Sequence, residues 1–326
     1  MIPYHAKSRD NSRAHCSIGI RHPVRAIMSA DTIRLFLNPT AGRGRAGRRQ
    51  AKIVELLQSA DLPFELQLSD AVGHLEEQVR QHVDDGARRI IVAGGDGSVY
   101  EAVNGIMRAG KEAALGLVPT GTGNDFAKAC GIPLNWEHAT RLLADRLAAG
   151  QYAKTIDIGT MNDRFFANGA GIGLDAKVTR IARSYRLPIG DIVYLLAIFR
   201  AMVDGIATPQ LEISSPDFSW TGPATLASIS NGPWIGGMFH IAPMARNDDG
   251  KLELMIADPV SRWRIMSLLP KLMSGTHVDE AEIRHQGVTK LSVISSEPLA
   301  SHLDGEVQPL QQRFDFAILP GALRLL

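Results

Sequence analysis

The sequence predicts an α/β protein in two parts: a doubly wound parallel-sheet domain first, then an antiparallel β-sandwich-like domain. Short apolar runs alternate with helix-period segments up to residue 149, and Gly-rich turns sit at the ends of several of those runs. After Gly150 the texture changes to short strands separated by turns. At 326 residues the chain is long enough for two domains, each with a core of its own.

Ile33-Arg34-Leu35-Phe36-Leu37 is the first strand. It runs into Asn38-Pro39-Thr40-Ala41-Gly42-Arg43-Gly44, with Arg45, Arg48 and Arg49 just beyond, and a helical pattern begins at Ile53, Leu56 and Leu57. Phe64 to Leu68 is the second strand, closed by Ser69-Asp70, and Leu75, Val79 and Val83 mark the helix after it. Ile90-Ile91-Val92-Ala93 breaks at Gly94-Gly95-Asp96-Gly97-Ser98, and Val99, Val103, Ile106 and Met107 then fall on one helical face. Leu115-Gly116-Leu117-Val118-Pro119 breaks at Thr120-Gly121-Thr122-Gly123-Asn124-Asp125, where Asp125 is placed to cap a helix starting near Phe126. Residues 134–149 make one more amphipathic helix.

Further on, strands are expected over 153–158, 164–168, 210–213, 224–230, 252–257 and 290–294, with helices inserted over 191–204 and 262–274. The closing run 314–325 reads as one or two strands that return to the first domain. The expected boundaries are a basic tail over 1–30, a first domain over 31–151 rejoined by 309–326, and a second over 152–308. The tail carries Lys7, Arg9, Arg13, Arg21 and Arg25 against Asp10 alone and lacks the apolar core of a signal peptide. Met28 is therefore a candidate natural start, with a weak membrane-surface role for the tail as the alternative.

Lys plus Arg at 35 against Asp plus Glu at 34 leaves no global field to attract nucleic acid, so anion binding has to be local. Cys16 and Cys130 are too few for a disulfide framework or a Cys-based zinc site, which suits a reducing cytoplasm. The longest apolar run, 192–203, contains Arg200 and is short of the roughly 20 residues a membrane span needs.

The chemistry is expected at the turns. Glycines let backbone N–H groups approach an anion, and the positive end of the following helix favours phosphate there. Turns of this kind on adjacent parallel strands would clasp a polyphosphate at the carboxyl ends of the sheet. Turns 38–44, 94–98 and 120–124 supply donors and Arg43 supplies charge, while Asp96 and Asp125 are acids that an ordinary turn does not need.

Taken together, the motifs resemble the diacylglycerol kinase catalytic family, which includes bacterial lipid kinases and sphingosine kinases. The resemblance spans about residues 31–326 and rests on LNPTAG at 37–42, GGDGSVYEAVNG at 94–105, PTGTGNDFA at 119–127, IDIGTMNDRFFANGAGIGLDA at 156–176, APMARNDDGKLEL at 242–254 and LDGE at 303–306. It implies a nucleotide-binding α/β domain and a β-sandwich-like domain, with ATP and a lipid hydroxyl meeting between them. By matching position, Asn38, Pro39, Thr40, Gly42, Arg43, Ser69, Gly94, Gly95, Asp96, Gly97, Ser98, Thr122 and Asn124 would hold the nucleotide. Asp157 would join a charged network across the cleft to a basic residue of the first loop. Glu306 would take the hydroxyl proton, with Asp96 holding Mg²⁺ or sharing the base role. A second, structural Mg²⁺ would lie at Asp249, with the carbonyls of Arg246 and Lys251.

Ser98, Tyr100 and Ser69 depart from the family's usual Thr, Asn and Thr. The two serines keep the hydroxyl, whereas Tyr100 alters a contact. GGDG alone is shared with phosphofructokinases and NAD kinases, which set the rival enzyme reading, and a silent nucleotide or lipid sensor is the non-enzymatic one. A lipid substrate should leave an apolar trace, for which Pro233 to Phe239 and the helical series Trp263, Met266, Leu269 and Met273 are candidates. Asp304 in the LDGE turn is equally compatible with a structural and a catalytic role. The expected partners are a lipid and, transiently, the inner face of a membrane, for an otherwise cytoplasmic protein. The sequence does not name the lipid, and it leaves open whether the chain forms a homodimer.

Overall fold

The structure, a computed structural model, describes residues 32–326 apart from 60, 62, 70, 72 and 186–191. The basic tail, Cys16, the candidate start at Met28, and Asp70 lie outside the described residues. The first half alternates as β1 (Ile33–Leu37), α1 (Ala41–Gln58), β2 (Phe64–Leu68), α2 (His74–Asp84), β3 (Arg89–Gly94), α3 (Asp96–Ala109), β4 (Ala114–Pro119), α4 (Asp125–Cys130) and α5 (Trp136–Ala148).

The four strands pair in parallel in the order β2-β1-β3-β4. Alternate residues serve opposite faces, which is why these strands read as unbroken apolar runs. Phe36, Ile90 and Val92 pack with Leu75, Val79 and Val103 of α2 and α3. Leu35, Leu37, Ile91 and Ala93 pack with Ile53, Leu57, Leu143 and Leu147 of α1 and α5. The chain leaves β1 to one side for β2 and returns to β3 on the other, so a crevice opens between the carboxyl ends of β1 and β3.

The second half runs β5 (Lys154–Met161), β6 (Arg164–Phe166), β7 (Gly169–Gly173), α6 (Leu174–Ser184), α7 (Ile192–Val203), β8 (Gln210–Ser215), β9 (Phe218–Pro223), β10 (Leu226–Ser230), β11 (Leu252–Ala257), α8 (Arg262–Ser274), β12 (Ile283–Val288), β13 (Lys290–Leu303) and β14 (Glu306–Leu325). Its pairings are antiparallel, in the order β12-β11-β10-β7-β13-β14, around a core that includes Phe166, Ile172, Ile213, Ile229, Leu254, Phe314 and Phe316. Among the described residues, the expected two helical inserts are three. The helix α6 was hidden behind β7, whose GAGIG sequence has weak strand propensity but lies flat between β10 and β13.

The end of the chain is one strand, as one of the two alternatives had it, but it starts at Glu306 rather than at 314 and runs for 20 residues. The strand β14 pairs with β13, then with β5, and at Arg324 and Leu325 runs parallel to β4, so the last residues complete the first sheet. A second tie crosses between the halves. Arg164 on β6 makes a two-pronged contact with Glu76 on α2 at 2.9 and 2.7 Å, and its Nε donates to the Tyr100 hydroxyl at 3.1 Å. Gln308 also donates to that hydroxyl, at 3.3 Å. The departure to tyrosine at position 100 thus serves packing between the halves. Among the described residues, no helix is long and apolar enough to cross a membrane.

Phe166 is fully buried, edge-on to Phe316 with ring centroids 6.3 Å apart, and its ring covers Gly159 where no Cβ would fit. Phe166→Ala should cost about 3–5 kcal/mol of unfolding free energy. Trp263→Ala, at a side chain 85% exposed, should stay within about 0.5 kcal/mol of wild type. Urea unfolding of the two variants measures the contrast, and equal losses would contradict the core assignment.

Candidate active site

The three glycine turns meet backbone to backbone. Gly42, Arg43 and Gly44 all have left-handed φ values, of 57°, 61° and 81°. A side chain at Gly42 would collide with the Thr120 carbonyl, and one at Gly95 would come within 2.9 Å of the Gly121 Cα. Arg45 fastens the first turn to the third, donating from Nε to the Gly42 carbonyl at 2.9 Å and from Nη2 to the Thr122 hydroxyl at 3.2 Å. The turns border a cavity of about 250 Å³ that collects the expected Asn38, Gly42, Gly95, Gly97, Ser98, Thr122 and Glu306. The Glu306 carboxylate lies over the first turn of α3, where a Cβ on Gly97 would come within 2.9 Å of its Oε1. It is paired with Arg183 of α6 at 2.5 Å.

A second cleft of about 220 Å³ adjoins the first and shares Thr122 with it. Arg43, Asp96, Asp125 and Asp304 line it. The Asp96 carboxylate accepts the Phe126 N–H at 3.1 Å, so the α4 end is capped from the neighbouring turn. Asp125 therefore does not cap that helix as expected. It lies within α4's first turn, and its oxygens accept the Gly237 N–H at 3.1 and 3.0 Å, while Lys128 pairs with it at 3.2 Å and donates to the Gly237 carbonyl. Asp304 accepts three backbone N–H groups, from Ala167, Asn168 and Gly169, at 2.8 to 2.9 Å, which makes it a scaffold of the cleft wall. Burial pushes the Asp96 carboxyl up to about 7, and the neighbouring Asp125 carboxylate adds to the rise.

Several expected site residues are engaged elsewhere. Asp157 does not reach the first loop: it is buried, and its oxygens accept the N–H groups of Gly250 and Gly321, each at 2.7 Å. Asn124 donates to the carbonyl of Gly121 and closes its own turn at φ 51°. Thr40 donates from its N–H and hydroxyl to Asn38 Oδ1, and the Pro39 carbonyl accepts the Gly47 N–H. Gly94 ends β3 tight against Ser98, and Ser69 is buried at the end of β2, lining neither cavity. In the exposed DDG turn, Asp249 Oδ1 accepts the Lys251 N–H at 3.1 Å and Arg246 leans on Asp248 at 3.3 Å, away from both cavities.

Sequence reasoning missed Arg183, the buried His302–Asp175 contact, and Tyr194. All three depend on α6 and α7 folding over the cleft, and only the second of those helices carried an apolar signal. Tyr194 lines both the second cleft and a third, almost wholly apolar cavity of about 120 Å³, walled by Ile198 of α7, Ile265, Leu269 and Leu272 of α8, and Phe239. The helical series Trp263, Met266, Leu269 and Met273 does not act as one face: Leu269 points into this cavity, whereas Trp263 and Met273 are exposed.

Anion-binding turns, two nearby carboxylates and an adjoining apolar cavity are the equipment of a phosphotransferase whose acceptor is apolar. Comparison with known proteins gives the class a family. Residues 32–161 match the diacylglycerol kinase catalytic domain, and residues 169–326 match the YegS C-terminal NAD kinase beta sandwich-like domain. A Pseudomonas aeruginosa (strain UCBPP-PA14) protein named "Probable lipid kinase YegS-like" is 34% identical over 255 residues, covering 78% of this chain and 81% of its own. The "Diacylglycerol kinase" of Bacillus subtilis (strain 168) is 27% identical over 274 residues, covering 84% and 89%. A crystal structure of a diacylglycerol kinase from Bacillus anthracis str. Sterne superposes with a TM-score of 0.71 over 90% of this chain and 96% of that one, and at 23% identity the likeness is one of fold. The chain belongs to the diacylglycerol kinase catalytic family and is an ATP-dependent lipid kinase.

The raised Asp96 carboxyl has a consequence for stability. Its ordinary value is 3.8, so between about pH 4 and 7 the folded protein holds a proton that the unfolded chain has released, and stability from this group is lost as pH rises through that window. Asp96→Asn keeps the acceptor for Phe126 and removes the loss. Its stability gain over wild type should grow from pH 4 to 7 and level off above. Urea unfolding in a chelator at pH 4.5 and pH 8 measures this, and an equal difference at both would show that Asp96 is not held protonated.

Proposed function

We propose that this lipid kinase transfers the γ-phosphate of ATP to the hydroxyl of a diacylglycerol, phosphatidylglycerol or sphingoid-type lipid in a Mg²⁺-dependent reaction, with Glu306 as the base. The observation that carries the reading is the place of Glu306: its carboxylate sits on the N-terminus of α3, inside the cavity bordered by the three glycine turns. Phosphoryl transfer asks the protein mainly to position reactants and offset charge. The lipid oxygen bonds to the γ-phosphorus as the bond from phosphorus to the β–γ bridging oxygen breaks. ADP leaves with that oxygen, and the hydroxyl proton passes to Glu306. The backbone N–H groups of 94–98 and 120–122, with Arg43, hold the phosphates.

Asp96 fits Mg²⁺ on physical grounds. It is a buried carboxylate whose ionisation is opposed by burial and by Asp125, and a divalent cation removes that penalty. Bound there, Mg²⁺ would supply charge to offset the phosphates. Mg²⁺ needs only one or two protein carboxylates and keeps water and phosphate oxygens in its other positions. The exposed Asp249, with the carbonyls of Arg246 and Lys251, is the proposed second, structural site.

The acyl chain occupies the apolar cavity beyond Tyr194, whose ring borders that cavity while the cleft it also lines holds Asp96 and Asp125. Ile192, Leu196, Phe199 and Val203 form an exposed stripe along α7, and Trp263 stands out from α8. Both helices wall the cavity, so resting this face on a membrane brings a lipid to its mouth. We assign the protein to the cytoplasm, peripheral at the inner membrane face, with 31–151 and 309–326 as the nucleotide domain and 152–308 as the lipid domain.

Purified protein, Mg²⁺, ATP labelled at the γ-phosphate and a panel of hydroxyl-bearing lipids, with NAD as control, test the proposal. Label should enter an organic-extractable product, and label in NADP instead would overturn the lipid reading. Glu306→Gln should lower kcat by about 10²- to 10⁴-fold with ATP affinity unchanged. A wild-type rate would remove Glu306 from the base role.

A further inference from the structure

We infer that Asp175 and His302 form a positioning pair that sets Glu306 for proton transfer. This rests on the reading of Glu306 as the base. His302 is fully buried near the end of β13, and its Nε2 lies 3.1 Å from Asp175 Oδ2. Both atoms are sealed from water, and within the described structure each has the other as its polar neighbour, at ion-pair distance rather than in hydrogen-bond geometry. The other ring nitrogen, Nδ1, accepts the Gly305 N–H at 3.3 Å. An acceptor at Nδ1 fixes the proton on Nε2, facing the carboxylate.

The pair acts on the two-residue turn that leads into Glu306. Leu303 and Glu306 are opposed in the β13–β14 ladder, with Asp304 and Gly305 between them at φ 48° and 84°. The helix α6 grips this turn at both ends. Asp175 in its first turn works through the His302 ring onto the Gly305 N–H, and Arg183 in its last turn donates to the Gly305 carbonyl at 2.9 Å and pairs with Glu306. With Asp304 tied to three backbone N–H groups of the β6–β7 connection, every residue of the turn has a fixed partner.

The sequence makes room for the pair. A Cβ at Gly171 on β7, directly opposite His302, would fall on both Asp175 Oδ2 and His302 Nε2. Neither residue lines the cavity where the glycine turns meet, whereas His302 borders the adjoining cleft and Asp175 the apolar cavity; it is their hold on the turn, and not contact with the phosphates, that reaches Glu306. Displacing Glu306 by a fraction of an ångström should slow proton removal without disturbing the phosphate-binding turns.

The test is steady-state kinetics on a Mg²⁺-dependent lipid phosphorylation assay. His302→Leu should lower kcat by about tenfold or more while the KM for ATP stays within about twofold. His302→Asn, whose Oδ1 can still accept from Gly305, should recover most of the loss at an unchanged melting temperature. Should the leucine variant fail to fold, Asp175→Asn, which keeps the shape and loses the charge, should still reduce kcat severalfold with the KM for ATP unmoved. In a Glu306→Gln background His302→Leu should cost nothing further. An unchanged kcat, an asparagine no better than leucine, or a full additional loss in that background would overturn the positioning role. A wild-type rate for Glu306→Gln alone would instead defeat the base assignment beneath it.

Discussion

The whole site depends on three backbone turns occupying a space in which no side chain fits between them. Gly42 against Thr120 and Gly95 against Gly121 are contacts of main chain on main chain. They bring the loop that opens α1 and the amino ends of α3 and α4 around one point, where backbone N–H groups and the α3 dipole face the cavity, while Asp96 caps α4 at Phe126. A phosphate chain is the ligand that such a convergence favours. A parallel sheet in the order β2-β1-β3-β4 is what permits it, because all strands end at the same edge and the reversal of direction leaves a gap between β1 and β3.

Placing acids in that neighbourhood has an electrostatic cost, and the fold offsets it with amide groups drawn from across the molecule. Asp96 of the first half accepts from Phe126, Asp125 accepts from Gly237 of the second half, and Asp304 accepts from the β6–β7 connection. Of these bonds, the one from the Gly237 N–H to Asp125 also fastens the two halves together, while the others each lie within one half. Asp96 has a single such donor and a carboxylate neighbour, and its carboxyl is the one lifted to about 7. Glu306 differs from these in being paired with a cation, Arg183, rather than with a cage of amides.

The parallel half was legible because burial on both faces writes itself as unbroken apolar runs, and the glycines that end β1, β3 and β4 mark where backbones touch. The motifs at 94–98 and 303–306 likewise marked segments that meet, with Glu306 over Gly97, although Asp96 lines the adjoining cleft rather than the cavity of Glu306. Other features left little trace. The strand β7 is largely glycine, so its propensity pointed away from the central place it holds between β10 and β13. The early part of β14, with Gln308, Gln311 and Gln312, lacked the apolar run that marked its second half. Asp157 looked like a cleft residue from its motif, yet its job is to hold Gly250 and Gly321, a contact between segments far apart in the chain that no local pattern encodes. The pairing of Asp175 with His302 was hidden for the same reason.

The connectivity also limits how the cleft can move. Glu306 is the first residue of β14, and the same strand ends by pairing with β4, whose own carboxyl end carries Thr120 and Gly121. Glu306 and the glycine turns are therefore joined by one continuous strand, and Arg164, Glu76 and Tyr100 clamp the halves a second time. A wide hinge opening would have to tear β14 from its partners or break that clamp. Adjustment during turnover is then expected in the elements held only by side chains, α6 and α7, which carry Arg183 and Tyr194 over the cleft. Those helices border the apolar cavity and α7 also bears the exposed apolar stripe, so the part of the molecule free to respond to an arriving lipid is the part that a lipid would touch.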